Sequence, residues 1–296
     1  MQRISLLLAG FAPAVLWGQQ GAGTELWRVA ATTLPIPPAL ATGGAAAFWN
    51  PAQPATPERA SFALDVIETA PTVNASGVLV TVRARVRPLG QLGLVYGRMG
   101  IGDLVRTSLS PDPDPGAIPY YTQTLGANWS VAPGGTALGA TLAYQDTRLD
   151  VQGSNRWTLD LGARHTFAGA VTLAAATRCF SRFAAGDPAQ DLYGGFELLL
   201  WHGPLWGSRA AVSARYGVAT AHGFTADHQF GAGFELGTQF ASDLEVQREG
   251  SYGQAGWRAV AGMRVGVGRY RVSFARDFGV NDIGAAYRVG LEGRIP

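Results

Sequence analysis

The chain has 296 residues, 40 of them glycine, and a charged fraction of 15%, well below the roughly 25% usual for soluble domains. Its 23 basic residues are all arginine and face 21 acidic ones, for a net charge of +2. With no aromatics interleaved in a basic patch, that balance excludes a nucleic-acid surface, and the lone Cys179 excludes an internal disulfide.

Met1-Gln2-Arg3 forms a short positive start, and Ile4 to Gly18 is an apolar run of 15 residues. That is too short to span a bilayer as a helix and the right length for the core of an export signal. Residues 1–18 are therefore expected to be a cleaved signal peptide, although Leu16 is a poor residue three before the cut. No cysteine lies near it to carry a lipid. Nowhere else do 18 uncharged apolar residues stand in a row, so a helical membrane protein is excluded.

Residues 19–59 are rich in Ala, Pro and Thr and have no usable period. So long a stretch without regular structure is unusual in a compact domain unless it serves a purpose. Leu26-Trp27 and Phe48-Trp49 make it too apolar to stay solvated. The expectation is a plug inside something hollow.

From residue 60 the sequence breaks into segments of about ten residues with period-2 alternation, separated by Gly, Pro, Asn or Asp. Strands are expected near 60–69, 76–87, 90–106, 118–131, 136–147, 156–167, 170–181, 191–202, 205–218, 227–240, 242–250, 256–267, 269–278 and 283–295. The segments 90–106 and 242–250 alternate poorly, so the count is fourteen, or twelve without them. Connections are short, and the longest polar one is Ser108 to Gly116.

The apolar faces end in aromatics. Trp157 and Phe167 bracket one segment, and Trp129, Tyr144, Trp206, Tyr216 and Trp257 stand near the ends of others. Two aromatic rims around an apolar band about 25 Å tall are the girdles of a transmembrane barrel. The opposite faces mix Gly, Ala, Ser and Thr with sparse Arg, as a confined interior requires. The expected fold is all-β: a transmembrane antiparallel β-barrel of about 14 strands, spanning residues 60–296. A soluble exported sandwich or propeller would alternate too, but has no use for two aromatic rims.

Parity assigns Arg83, Arg85, Arg87, Arg164, Arg209, Arg215, Arg258, Arg264, Arg288 and Arg294 to the lumen, with Asp160, Glu197, Glu235 and Glu292. Ten bases against four acids would favour an anionic solute between low-dielectric walls. Alternatively, the same charges form an ion-pair ladder bracing the barrel. Catalysis is not expected. His165 falls on the lipid side, His202 at a turn, and His222 and His228 in a loop, with no nucleophile-base-orienter set and no metal-ligand spacing. The glycine clusters lack the strand-to-helix setting of a phosphate loop, and Cys179 reads as a small apolar filler. No cofactor is implied.

Ahead of the first strand stands "GGAAAFWNPA", Gly43 to Ala52. Pro51 fixes its own φ and biases Asn50 toward extended backbone. The Asn50 amide can then satisfy backbone groups of a non-repetitive segment, while Phe48 and Trp49 fill volume. A tight turn into the first strand is the plainer reading. Following an export signal and preceding a barrel, the stretch resembles the outer-membrane superfamily that holds the long-chain fatty-acid transporters and the PorV/PorQ proteins of type IX secretion. The resemblance implies fourteen strands, an N-terminal hatch folded into the barrel, and a hatch motif here at Phe48, Trp49, Asn50, Pro51 and Ala52. Two departures stand out: the loops are trimmed, and the chain ends in Ile295-Pro296 instead of an aromatic, with Tyr287 keeping the right parity.

The expected function is thus passage of small hydrophobic or amphipathic solutes through a plugged barrel in the outer membrane of a diderm bacterium. Outer-membrane lipids and a hydrophobic or acidic solute are the expected partners. A PorV/PorQ-like role beside secretion-system proteins, or a structural barrel without traffic, are the alternatives. Solute identity, movement of the plug and oligomeric state are not encoded in any motif.

Overall fold

The computed structural model describes residues 25–105, 116–179, 190–221, 225–250, 256–279 and 284–296. The expected signal peptide, most of the acidic connection near Ser108, and His222 lie outside the described residues.

Fourteen strands follow one another: β1 Ala60–Glu68, β2 Ala75–Val86, β3 Gly90–Ile101, β4 Tyr120–Val131, β5 Thr136–Leu149, β6 Gln152–Phe167 and β7 Val171–Arg178 form the first half. The second half is β8 Asp191–Leu205, β9 Ser208–Ala221, β10 Asp227–Leu236, β11 Phe240–Glu249, β12 Gly256–Val267, β13 Tyr270–Asp277 and β14 Ala286–Ile295. Each pairs antiparallel with its neighbours in sequence, and β1 also pairs with β14, from Ala60 opposite Ile295 to Glu68 opposite Tyr287. The sheet is a closed barrel of fourteen strands.

Alternation is the cause. On β1, Ala63, Asp65 and Ile67 are buried, whereas Phe62, Leu64 and Val66 are exposed. The same reversal, with large apolar side chains on the exposed face, recurs around the ring at Leu94, Leu125, Leu142, Leu159, Phe196, Leu244, Val272 and Val289. Water does not tolerate so large a contiguous apolar surface, and lipid does. This is a transmembrane barrel turned apolar side out.

The hairpins at one end are tight. Ala168 and Gly169 have φ of 47° and 70°, and Trp206 and Gly207 have 50° and 77°. Left-handed backbone at both central residues matches the twist of the flanking strands. This is the turn end, where β1 begins and β14 stops. The longer connections gather at the opposite, loop end.

The two segments that alternate poorly are both strands, β3 and β11, so fourteen replaces twelve. On β3 the inward face holds Val95 and Met99, which are as apolar as the outer face because they meet a hydrophobic lumenal cluster. The main boundary error falls at β8 and β9. "HGP" (202–204) reads as a turn, yet β8 continues to Leu205 across a bulge between Leu199 and Trp201. His202 is therefore in a strand, and Trp206 sits in the hairpin, 84% exposed, instead of on the strand face expected for it.

Residues 25–53 hold a short helix α1, Leu26–Ala31, and two 3-10 turns at Pro38–Leu40 and Gly44–Phe48. They touch the wall all round: Glu25 meets Tyr120 on β4, Arg28 meets Asp191 on β8, Leu40 meets Arg164 on β6, and Gly44 meets both Thr81 on β2 and Glu292 on β14. A chain reaches all of these strands only from within the ring. It begins near the loop end at Tyr120 and leaves near the turn end, where Pro54 accepts from Gln91.

Candidate functional site: the filled lumen

The inner wall is built to receive this segment. Six inward glycines, Gly97, Gly139, Gly162, Gly195, Gly217 and Gly262, lie on six strands; a Cβ would collide with the segment at five of them and press tightly on it at Gly195. Gly97 backs onto Phe48 and Trp27, Gly139 onto Pro51, and Gly162 onto Asn50 and Ala52. Gly195 seats Leu40, Gly217 seats Pro37 and Gly262 seats Pro35. Glycine at these places lets the segment lie close against the wall, backbone to backbone at Gly139 and Gly162 and under side chains at the other four.

Asn50 is wholly buried. Its Nδ2 donates to the Ala39 carbonyl at 2.5 Å, and its Oδ1 accepts from the Ala52 N–H at 2.9 Å. Gln53 Nε2 donates to the Asn50 carbonyl at 2.7 Å. These bonds join the two arms of a bend that no regular structure pairs, which is where an amide with one donor and one acceptor side is needed. Pro51 and Ala52 press against Gly139 and Gly162. Phe48 and Trp49 enter a cluster with Leu26, Trp27, Ile67, Leu79, Val95 and Met99.

At the centre stands Arg178, the last residue of β7 and 1% exposed. Its guanidinium carbon lies 4.2 Å from the Phe48 ring centre, 5.3 Å from Trp27 and 5.1 Å from Trp49. Nε and Nη1 have no hydrogen-bond partner; the charge lies against three ring faces, with the Asp160 and Asp191 carboxylates as its acidic neighbours. Parity with Thr172 could have revealed it, but its place at a strand end beside Cys179 hid it. Cys179 is buried, and its N–H donates to Asp160 Oδ1 at 2.6 Å.

The other lumenal charges are mostly partnered. Arg215 bridges Glu197 and Asp243, both at 2.5 Å. Arg258 pairs with Asp277 at 2.8 Å and Glu249 at 3.3 Å. Arg264 reaches Asp243 and Glu235 at 3.3 and 3.5 Å, with Glu235 half exposed. Arg288 holds Asp65, and Arg294 pairs with Glu292 at 2.9 Å and Glu58 at 3.7 Å. Arg164 donates to the Leu40 carbonyl, and Arg83 lies buried within 3.4 Å of Gln53.

Three of the expected lumenal arginines stand at the open turn end of the barrel. Arg85, Arg87 and Arg209 keep inward parity or stand just past a strand, but all are exposed at the turn end, beyond the reach of the filling segment. The expected surplus of six positive charges also shrinks. Three more inward arginines, Arg156, Arg178 and Arg271, are outweighed by seven more inward acids: Asp65, Asp191, Asp227, Asp243, Glu245, Glu249 and Asp277. Their signal was present in the alternation of β1 and β11, where the acids were not counted. His228 is a strand residue whose Nδ1 lies 2.7 Å from the Tyr216 hydroxyl, on the outer face. His165 pairs in the same way with Thr136 at 2.6 Å.

The segment does not fill the lumen completely. A recess of about 590 Å³ opens at the turn end beside Arg269, Arg271 and Arg294. A chamber of about 210 Å³ follows, lined by Thr42, Gly43, Arg83 and Glu292, and Arg271 is common to both. A third space, about 100 Å³, lies deeper among Gly44, Asp65, Asp243 and Arg288, under Leu34, Pro35 and Ile36. On the far side of that strap a void of about 40 Å³ sits beside Arg28, Asp191 and Gln247.

No protein-family model matches the chain, and no curated protein matches it. Solved barrels do. The monoaromatic hydrocarbon channel TodX, as a ΔS2S3 mutant, superposes with a TM-score of 0.57 over 86% of this chain and 95% of its own, at 12% identity. The toluene transporter TbuX of Ralstonia pickettii gives 0.52 over 86% and 94%, at 13% identity. At such identities the likeness is one of fold.

Proposed function

We propose that this protein is an outer-membrane channel for small hydrophobic or amphipathic solutes, and that residues 25–53 are a plug closing its lumen. The observation that carries the reading is the row of cavities meeting at Arg271 and ending beneath Leu34 to Ile36. A barrel with a purely structural interior has no need of a passage entering from the turn end and stopping at one strap. Two barrels of the same fold carry monoaromatic hydrocarbon or toluene by their names, which favours an apolar cargo. The paired state of the lumenal arginines fits a bracing ladder better than a strong anion trap.

The test is single-channel conductance of the mature protein in a planar bilayer, beside a variant lacking residues 19–58 and beside F48A/W49A, which keeps the backbone of the segment. A closed parent and a conducting variant support the plug, and uptake of labelled toluene into proteoliposomes then tests the cargo. A steady current through the intact protein would reject closure by this segment.

A further inference from the structure

Four arginines face outward, not inward: Arg98 on β3, Arg148 on β5, Arg248 on β11 and Arg276 on β13. All are exposed, and all lie within three residues of the loop-end terminus of their strand. One ladder of directly paired residues runs from Arg276 through Tyr287, Glu68, Ser76, Gly100 and Tyr121 to Arg148. The four side chains thus form a belt along the arc from β11 through β14 and β1 to β5. We propose that this belt binds the phosphate groups of anionic lipids in the leaflet at the loop end, an inference that rests on reading the protein as an outer-membrane barrel.

Charge is the first reason. Most inward arginines have acidic partners, but none of these four makes an ion pair among the described residues. On the same face Glu68 is separated from Arg276 by Tyr287, and Asp146 is engaged by Tyr121 and by Gln123 at 2.8 Å. Arg148 donates Nε to the Asp150 carbonyl at 3.0 Å, which fixes its stem and leaves the other guanidinium nitrogens free.

Geometry is the second. Arg98 lies over the Tyr121 ring at 4.5 Å, and Arg276 over Phe278 at 4.9 Å and Tyr287 at 5.7 Å. Arg248 is the cross-strand partner of Trp257. A guanidinium lying on a ring uses its face there and keeps its N–H edge for a bidentate oxyanion such as phosphate. The rings mark the border of the apolar band, the depth at which lipid phosphates lie.

Asymmetry is the third. The outer face at the turn end carries Trp129, Phe167, Trp201, Phe240 and Tyr270, with no strand arginine among the described residues. Arginines serving only to snorkel from an apolar band would stand at both rims. In barrels of this kind short turns face the periplasm and longer connections the exterior, so the belt meets the outer leaflet.

The experiment refolds the full mature chain in zwitterionic detergent and counts retained lipid by native mass spectrometry. The probes are bisphosphorylated lipid A and phosphatidylcholine. The wild type is expected to retain lipid A selectively, and R98Q/R148Q/R248Q/R276Q to retain it at least about tenfold less, while R85Q/R209Q at the turn end changes nothing. Heat-modifiable migration verifies a folded barrel in each case. Should the fourfold variant not fold, R98Q and R276Q singly are expected to lower retention about two- to threefold. Equal retention by folded variants, or equal retention of phosphatidylcholine by the wild type, overturns the inference alone. A wild type that never migrates as a folded barrel rejects the membrane reading beneath it.

Discussion

The guanidinium of Arg178 and the ring of Phe48 face each other at 4.2 Å, one on the barrel wall and the other in the segment that fills it. Trp27 and Trp49 complete the enclosure. A desolvated cation on aromatic faces is worth about 2 kcal/mol or more. R178A removes that contact and leaves a void at the junction. The expected result is a folded barrel with a lower unfolding midpoint and frequent brief openings in a bilayer. An unchanged, silent trace would mean that the contact does not hold the segment in place.

Gly162 lies against Asn50 and Ala52. G162V places three carbons where the segment now sits, and overpacking of that kind costs about 1–3 kcal/mol. Because the collision is with the segment and not with a neighbouring strand, the barrel should still assemble. Conductance is expected to rise. G153A is the control, since a Cβ there meets only the Thr147 carbonyl at 3.8 Å.

Asn50 serves both arms of the bend around residues 39–52. N50A would orphan the buried Ala52 N–H and Ala39 carbonyl, at about 1–3 kcal/mol for each group left unsatisfied. The expected readout is earlier proteolytic cleavage within residues 39–53 at a barrel melting temperature that changes much less. Cleavage at the wild-type rate would show that the amide is dispensable.

Much of this architecture is legible from alternation. The boundaries of β5, β6 and β12 start or stop within a few residues of expectation because their apolar faces are strictly periodic. Legibility fails where a second physical rule overrides period. Pro204 in β8 resembles a turn residue, and only the bulge at Leu200 lets the strand continue past it. The filling segment has no period at all, so its path past six glycines cannot be read from its own residues. The glycines themselves were visible on the inward face, but their meaning depends on which strand comes to lie beside which proline. Arg178 was missed for a related reason: its partners are more than a hundred residues away in sequence, and parity marks it as inward but not as buried.

The ion-pair ladder allows a sharper test than any single substitution. Arg215 joins Glu197 and Asp243, and Asp243 also accepts from Arg264. R215Q leaves the buried Asp243 with only the longer Arg264 contact, so a loss of about 3–5 kcal/mol is expected for breaking one side of a buried pair. D243N alone strands Arg215 less severely, because Glu197 remains. In R215Q/D243N both charges are absent, and part of the loss should return as a positive coupling in a double-mutant cycle. If these charges only brace the wall, the cycle appears in barrel stability while conductance stays at zero throughout. If conductance changes with the same coupling, Arg215 and Asp243 also hold the strap from Leu34 to Pro38 in place, and the ladder and the closure are one device.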